Sequence, residues 1–142
     1  MGNWYGTARS NYVKAVDVGA LKAAMEFWDI SVEAGSGKNE GKVCLLCETE
    51  YGGWPSSAYD EEAEVDVEFD FANHVMPHVA EGEVLIVMEA GAEKLRYITG
   101  WSGAFVRTGD DVKAVYTNID RIYEIVRNEF GADFDEFTFV EY

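Results

Sequence analysis

The run Glu83–Ala90, EVLIVMEA, decides the fold class that the sequence predicts. It is rich in β-branched and other apolar residues and is followed by Gly91, a pattern that favours a strand in a sheet. Further strand-like runs at residues 95–99, 104–108 and 112–117 are joined at glycines and at a hairpin-type turn. This part of the chain therefore predicts an antiparallel meander.

The part of the chain before this meander predicts one helix and further strands. Residues 4–16 are aromatic and β-branched, which is typical of a first strand. Asp17 is a suitable N-cap for a helix whose apolar residues recur at helical spacing up to Trp28. Residues 30–34 and 42–49 flank a glycine-rich turn, so we expect them to form a hairpin.

Two more helices and a last strand complete the prediction. Residues 71–79 favour a helix that Pro77 kinks or starts, and residues 137–142 alternate like a strand. Asn118 and Gly131 are suitable ends for a helix with one apolar side, which we expect to be buried. That side comprises Ile119, Ile122, Tyr123, Val126 and Phe130. The sequence thus predicts a single domain, residues 1–142, of the α+β class, with a largely antiparallel sheet and two to three helices packed on one face.

Composition restricts the kind of partner. With 48% hydrophobic and 14% aromatic residues, the chain can bury a core and is not an acidic disordered tail. Its 11 basic and 27 acidic residues give a formal net charge of −16, which repels nucleic acid and anionic membrane surfaces. We therefore expect no direct binding to nucleic acid or membrane, and a partner of basic character.

Two features favour a reducing compartment. Cys44 and Cys47 are too few for a disulfide framework, so we expect reduced thiols in the core. The sequence has no apolar run of the roughly 18 to 20 residues that span a bilayer, and its first residues lack the pattern of a signal peptide. A cytoplasmic protein is the expectation.

The most unusual feature is an acidic array in a segment that has no basic residue. No Lys or Arg occurs between Lys42 and Lys94. If residues 60–70 form one extended strand, the carboxylates at even positions share a face at intervals of about 6.6 to 6.8 Å. Phosphates of one DNA strand follow one another at about 3.4 Å along the helix axis, so the interval is close to the distance between every second phosphate. The array consists of Asp60, Glu62, Glu64, Asp66, Glu68 and Asp70.

Two other interpretations of the array remain open. Alternating acids are also typical of a solvated edge strand, where charge protects against aggregation. Cations could bind diffusely, although a straight array cannot wrap one ion as a calcium loop does. Beside the array, Trp54 and Tyr59 flank a glycine-proline turn, and we expect them to be exposed contact residues.

Catalytic and metal-binding patterns are weak. The pair Cys44 and Cys47 has redox spacing, but it lies in a predicted strand rather than at a helix start. With His74 and His78 the spacing does not fit a zinc finger. His74, His78 and Glu81 form a weak alternative metal site, disturbed by Pro77. The sequence contains no recognisable nucleophile, general base or cofactor loop, so we expect neither an enzyme nor a cofactor.

In size, charge and carboxylate pattern the chain resembles the DNA-mimic inhibitors that phages and conjugative elements carry against restriction or CRISPR nucleases. Residues 3–12 and 89–98 are also similar to accessory proteins of such elements. The resemblance implies a non-enzymatic inhibitor that presents carboxylates to a basic, nucleic-acid-binding protein. It supplies no residue-by-residue assignment.

Three functional hypotheses follow. The leading one is a DNA mimic centred on residues 60–70. The second is an accessory or immunity-type interaction module with an aromatic interface at Trp54 or Tyr59, whose charge serves solubility or salt adaptation. The third is a hydrolase that uses a carboxylate pair. The sequence leaves the oligomeric state open.

Overall fold

A computed structural model of the protein describes residues 4–94 and 96–140. Residues 1–3, Leu95 and residues 141–142, which end the predicted last strand, lie outside the described residues. The elements are β1 Trp4–Ser10, α1 Val18–Glu26, β2 Ile30–Ala34, β3 Val43–Cys47, β4 Ser57–Asp60, β5 Val65–Glu68, β6 Val84–Glu93, β7 Tyr97–Thr108, β8 Asp111–Asn118 and α2 Ile122–Phe130.

Six of these strands form one sheet in the order β2-β3-β1-β6-β7-β8, and every neighbouring pair is antiparallel. Strands β4 and β5 form a separate two-stranded hairpin. The predicted α+β class with a largely antiparallel sheet is therefore confirmed. The predicted hairpin of β2 and β3 and the predicted meander of β6, β7 and β8 are present as well.

The large sheet has one covered face and one open face. On β6, Leu85 and Val87 point to the covered face and are fully buried. The next residues, Ile86 and Met88, point to the open face and are exposed. Alternate residues of one strand therefore have opposite environments, and the core lies on one side of the sheet only.

Helix α1 contributes to the covered side. The side chain of Asp17 accepts a hydrogen bond of 3.1 Å from the backbone N–H of Ala20, as the N-cap prediction requires. Leu21 and Met25, one turn apart, are both buried in the core. The helix is short, so its stability comes from this packing.

Strand β7 is longer than the sequence predicts. Gly100 and Gly103 were expected to separate two strands, but both lie within one strand. A Cβ atom at Gly100 would come within 2.9 Å of Cγ2 of Ile119, and one at Gly103 within 3.1 Å of Cδ1 of Tyr116. The glycines are thus explained by close side-chain approach rather than by a turn.

The segment predicted as a helix over residues 71–79 is divided. A π-helical turn, Phe71–Val75, is followed by a 3₁₀ turn, Met76–His78, whose second residue is Pro77. Proline lacks the N–H that would continue the preceding helical hydrogen bonds, which accounts for the division. Asp70 caps the first turn by accepting from the N–H of Ala72 at 2.9 Å.

The C-terminal part differs most from prediction. Helix α2 ends as predicted, with Gly131 in the left-handed conformation at φ 68°, but its apolar side is not buried. The buried side predicted for this helix is wrong, because none of its residues is buried. Residues 137–140 form no strand; instead, Phe139 stacks on Tyr123 at a centroid distance of 4.0 Å.

Candidate partner-binding surface

Residues 60–70 do not form one extended strand, so the predicted straight array of carboxylates is wrong. Strand β4 ends at Asp60, a turn occupies residues 61–64, and β5 returns antiparallel from Val65 to Glu68. We call residues 57–68 the acidic hairpin. The match in spacing to DNA phosphates is lost, because at most two carboxylates follow one another along one strand face.

The turn has a local cause and a tertiary one. The carboxylate of Asp60 accepts from the N–H groups of Glu62 and Ala63 at 3.0 and 3.2 Å, which satisfies the reversed backbone. Ala58 pairs with Val67, and both pack against the core. The two small apolar residues reach the core together only if the chain reverses between them.

The hairpin divides the six predicted carboxylates by role. Asp60 and Asp70 serve as acceptors for the backbone of turns. Glu62 and Glu64 lie exposed at the tip, and Glu64 has a positive φ of 56°. Asp66 and Glu68 share the outward face of β5, where Asp66 lies opposite Tyr59. Four of the six therefore remain available to a partner: Glu62, Glu64, Asp66 and Glu68.

Among the described residues, no basic side chain forms an ion pair with this hairpin. Over residues 4–94 and 96–140 one ion pair forms, between Arg127 and Asp133, far along the chain from the hairpin. The charges at the tip and on the outward face are exposed to solvent. The hairpin is therefore a concentrated negative surface whose charge is not used for internal pairing.

An aromatic cleft of about 710 Å³ lies beside the hairpin. Phe71 forms its inner wall and contacts Trp54 edge-on, with ring centroids 5.0 Å apart. Tyr116, 66% exposed, lies at its outer side, 6.3 Å from Trp101 between ring centroids. We call this the aromatic cleft, and its acidic members are Glu68, Asp70 and Glu89.

Glu89 fixes the geometry of this cleft. One carboxylate oxygen accepts from the backbone N–H of Trp54 and the other from the indole N–H of Trp101, both at 2.7 Å. Glu89 lies on the covered face of β6, in register with Trp101 on β7. Hydrogen bonds to its ionised form compensate for partial burial.

Sequence reasoning found part of this surface and missed part of it. Tyr59 is 56% exposed, as predicted, whereas Trp54 is half-buried. The indole Nε1 of Trp54 is buried and has no hydrogen-bond partner among the described residues. The hydrogen bond between Trp101 and Glu89 was not predicted. The alternation of β6 was a usable indication, since it places Glu89 on the same face as Leu85 and Val87.

The predicted alternative metal residues are not brought together. His74 accepts from the N–H of Asp70 at 3.0 Å, and Glu81 accepts from the N–H of Gly109. Within the described chain, potential ligand atoms approach one another within 4.8 Å in a different group, which is fully exposed. That group consists of Asp133, Asp135 and Glu136.

The two cysteines are separated as the strand interpretation requires. Cys44 is buried, and its sulfur lies 3.6 Å from Nη2 of Arg9. Burial, with smaller contributions from Glu89 and Glu48, raises the pKa of Cys47 from 9.0 to about 12. A thiol with so high a pKa carries no nucleophilic thiolate near neutral pH, which argues against redox chemistry at this pair.

Comparisons of the chain with protein-family models, with curated proteins and with solved structures find no match. The resemblance to DNA-mimic inhibitors therefore stays a prediction from charge and size. Among the described residues, no helix has the length and apolar character needed to cross a membrane.

Proposed function

We propose that this protein is a non-enzymatic binding protein that docks its acidic hairpin on a basic, nucleic-acid-binding protein, in the place that nucleic acid would occupy. The observation that supports the proposal is the set of exposed carboxylates on the hairpin, none of which is paired with a described basic side chain. Unpaired like charges on neighbouring residues destabilise the free protein, and a basic partner relieves that cost.

The support is charge density, not phosphate spacing. Four exposed carboxylates within one hairpin, on a chain of net charge −16, give a field that steers a basic groove toward this end of the molecule. Association should be fast and should weaken as salt increases. The reduced thiols agree with action in the cytoplasm, where the proposal places the protein.

A charge-matched pair of variants tests the proposal. The first replaces Glu62, Glu64, Asp66 and Glu68 by Gln or Asn, and it raises the net charge by four. The control makes the same change in charge at exposed acids elsewhere in the fold: Glu26, Glu33, Glu40 and Glu50. Both sets leave the carboxylates that cap turns in place, so both variants should fold.

The readout is capture of basic proteins from a bacterial lysate, followed by elution with salt or with duplex DNA. We expect the wild type and the control to retain the same nucleic-acid-binding protein, DNA to displace it, and the hairpin variant to lose it. Equal retention by the hairpin variant, or elution that DNA does not affect, would contradict the proposal.

The aromatic cleft favours a second candidate, an interaction module with an aromatic interface. Tyr59 is 56% exposed, and Tyr116, 66% exposed, borders the cleft, so both rings are available to a partner. Binding of this kind should persist at high salt and should be lost in Tyr59→Ala or Tyr116→Ala. Both side chains are exposed, so neither change should unfold the protein.

A further inference from the structure

The open face of the sheet is strongly apolar although it is exposed. Met88 is 58% and Val115 is 68% exposed. On the other face, Val87 beside Met88 is buried, whereas Tyr116 beside Val115 is itself 66% exposed, so the contrast between the two faces is sharpest on β6. Antiparallel sheets that face water normally carry polar residues on that side. The strand register gives three cross-strand rows in which six of the nine residues are apolar: Met88, Ser102 and Thr117; Ile86, Ala104 and Val115; Val84, Val106 and Lys113.

Helix α2 has a matching apolar side that is also exposed. Ile122 is 52% and Phe130 is 79% exposed, and no residue of the helix is buried. Tyr123, at one edge of this side, stacks on Phe139, so the C-terminal residues cover the edge alone. A nine-residue helix is marginal without tertiary packing, so its apolar side needs a surface.

The total surface area supports the same point. The accessible area of the chain is 9579 Å² for a mass of 15.9 kDa. A compact monomer of that mass exposes roughly 7,400 Å². The excess is roughly 2,000 Å² per chain, so two chains together have roughly 4,000 Å² to bury, which lies within the total of about 2,000 to 5,000 Å² that stable homodimers bury.

Charge permits a second copy to approach this face. The three rows contain Lys113 and no acidic residue, and Arg9 lies in register with Met88 at their edge. Glu129 lies near the apolar side of α2, where it can meet these basic side chains. On a chain of net charge −16, the open face is thus a surface where another copy's helix meets no opposing carboxylate row.

We propose that the open face is covered by helix α2 of a second copy of this chain, and that the exchange is reciprocal. Ile119 lies against Gly100 at one end of the open face, so the helix starts at the sheet and leaves it with its apolar side uncovered. A two-fold exchange covers both helices and both open faces at once. The 3₁₀ turn Ile119–Arg121 connects the exchanged helix to β8.

Sedimentation equilibrium of the full chain over a wide range of protein and NaCl concentrations tests the dimer. We expect a monomer-dimer equilibrium that shifts toward dimer as salt increases, because salt screens the repulsion between two acidic chains. This direction is opposite to that expected for a basic partner on the hairpin. If the protein is a monomer under all conditions, the inference is overturned. This includes a monomer in which α2 packs on the open face of its own sheet.

Point variants locate the contact. Ile122→Glu on the helix and Val115→Glu on the open face each place a carboxylate in the interface and should weaken dimerisation by more than about tenfold. Asn128→Glu, on the opposite side of α2, is the matched control and should leave it unchanged. Circular dichroism should show all three variants folded, since these side chains are exposed in the single chain.

Mixing the two interface variants tests reciprocity. A heterodimer of Ile122→Glu with Val115→Glu retains one unmodified helix on one unmodified open face, so the mixture should associate more tightly than either variant alone. Undiminished dimerisation of Ile122→Glu would show that sheet faces pair with each other, and would overturn the exchange. An equal effect of Asn128→Glu would overturn it as well.

Discussion

Trp101 donates its indole N–H to the carboxylate of Glu89 at 2.7 Å. The second oxygen of the same carboxylate accepts from the backbone N–H of Trp54 at the same distance. One acidic side chain thereby joins β7 to the loop that leads into the acidic hairpin. The contact thus ties this loop to the sheet, beside the packing of Ala58 and Val67 against the core.

Removal of this carboxylate should destabilise the fold. Glu89→Ala leaves two donors without their acceptor and should lower the free energy of unfolding by about 1 to 3 kcal/mol per donor that stays buried. Glu89→Gln should cost less, because its amide oxygen still accepts one of the two bonds. Urea unfolding followed by tryptophan fluorescence measures both. Glu33→Ala, at an exposed position, should stay within about 0.5 kcal/mol of the wild type.

The thiol of Cys47 should make stability depend on pH in the alkaline range. Below pH 9.0 the thiol is protonated in both the folded and the unfolded chain. Between pH 9.0 and about 12 the unfolded chain releases the proton while the folded chain keeps it, so the contribution of this group to stability falls as pH rises. The stability difference between wild type and Cys47→Ala should therefore shift against the wild type above pH 9.0, as measured by urea unfolding.

The charge of Glu89 contributes to that pKa, but burial contributes more. Glu89→Gln should thus lower the pKa of Cys47 without returning it to 9.0. Titration of thiolate absorbance in the folded protein measures the change. A pKa of 9.0 in Glu89→Gln would show that burial is not the main cause.

The hairpin carboxylates should differ in structural importance. Asp60→Ala removes the acceptor of two backbone N–H groups and should lower stability by about 1 kcal/mol. Asp60→Asn keeps an accepting oxygen and should lose less. Glu62→Ala, at the exposed tip, should leave stability unchanged or raise it slightly, because it removes a like charge. Thermal unfolding of the three variants distinguishes the two roles; equal losses would contradict the assignment.

Two glycines with the same backbone conformation should respond differently to alanine. Gly52 and Gly82 have φ values of 85° and 82°, so each alanine variant bears the conformational cost of roughly 1 kcal/mol. At Gly52 the added Cβ would also collide with the carbonyl oxygen of Gly6, whereas at Gly82 it meets no atom within 4 Å. Gly52→Ala should therefore be the more destabilising by more than about 2 kcal/mol, as measured by chemical unfolding.

Local sequence patterns predicted most strands because the alternation of apolar and polar residues along a strand follows the burial of its two faces. The alternation within β6 and the N-cap at Asp17 depend on neighbouring residues, so both were predictable. The glycines of β7 were predicted to end strands, but they lie within one strand where Ile119 and Tyr116 from other elements approach the backbone closely. The acidic segment was misjudged for a similar reason, since the pairing of Ala58 with Val67 depends on a shared core contact.

The sequence by itself determined the sign of the surface, the class of fold and the residues able to form strands. These properties depend on composition and on periods of two or three to four residues. The tertiary structure alone decided that the acidic segment folds back as a hairpin, that Glu89 joins Trp54 to Trp101, and that one sheet face and one helix stay uncovered. Those properties depend on contacts between residues far apart in the chain, and such contacts cannot be predicted from the pattern of neighbouring residues.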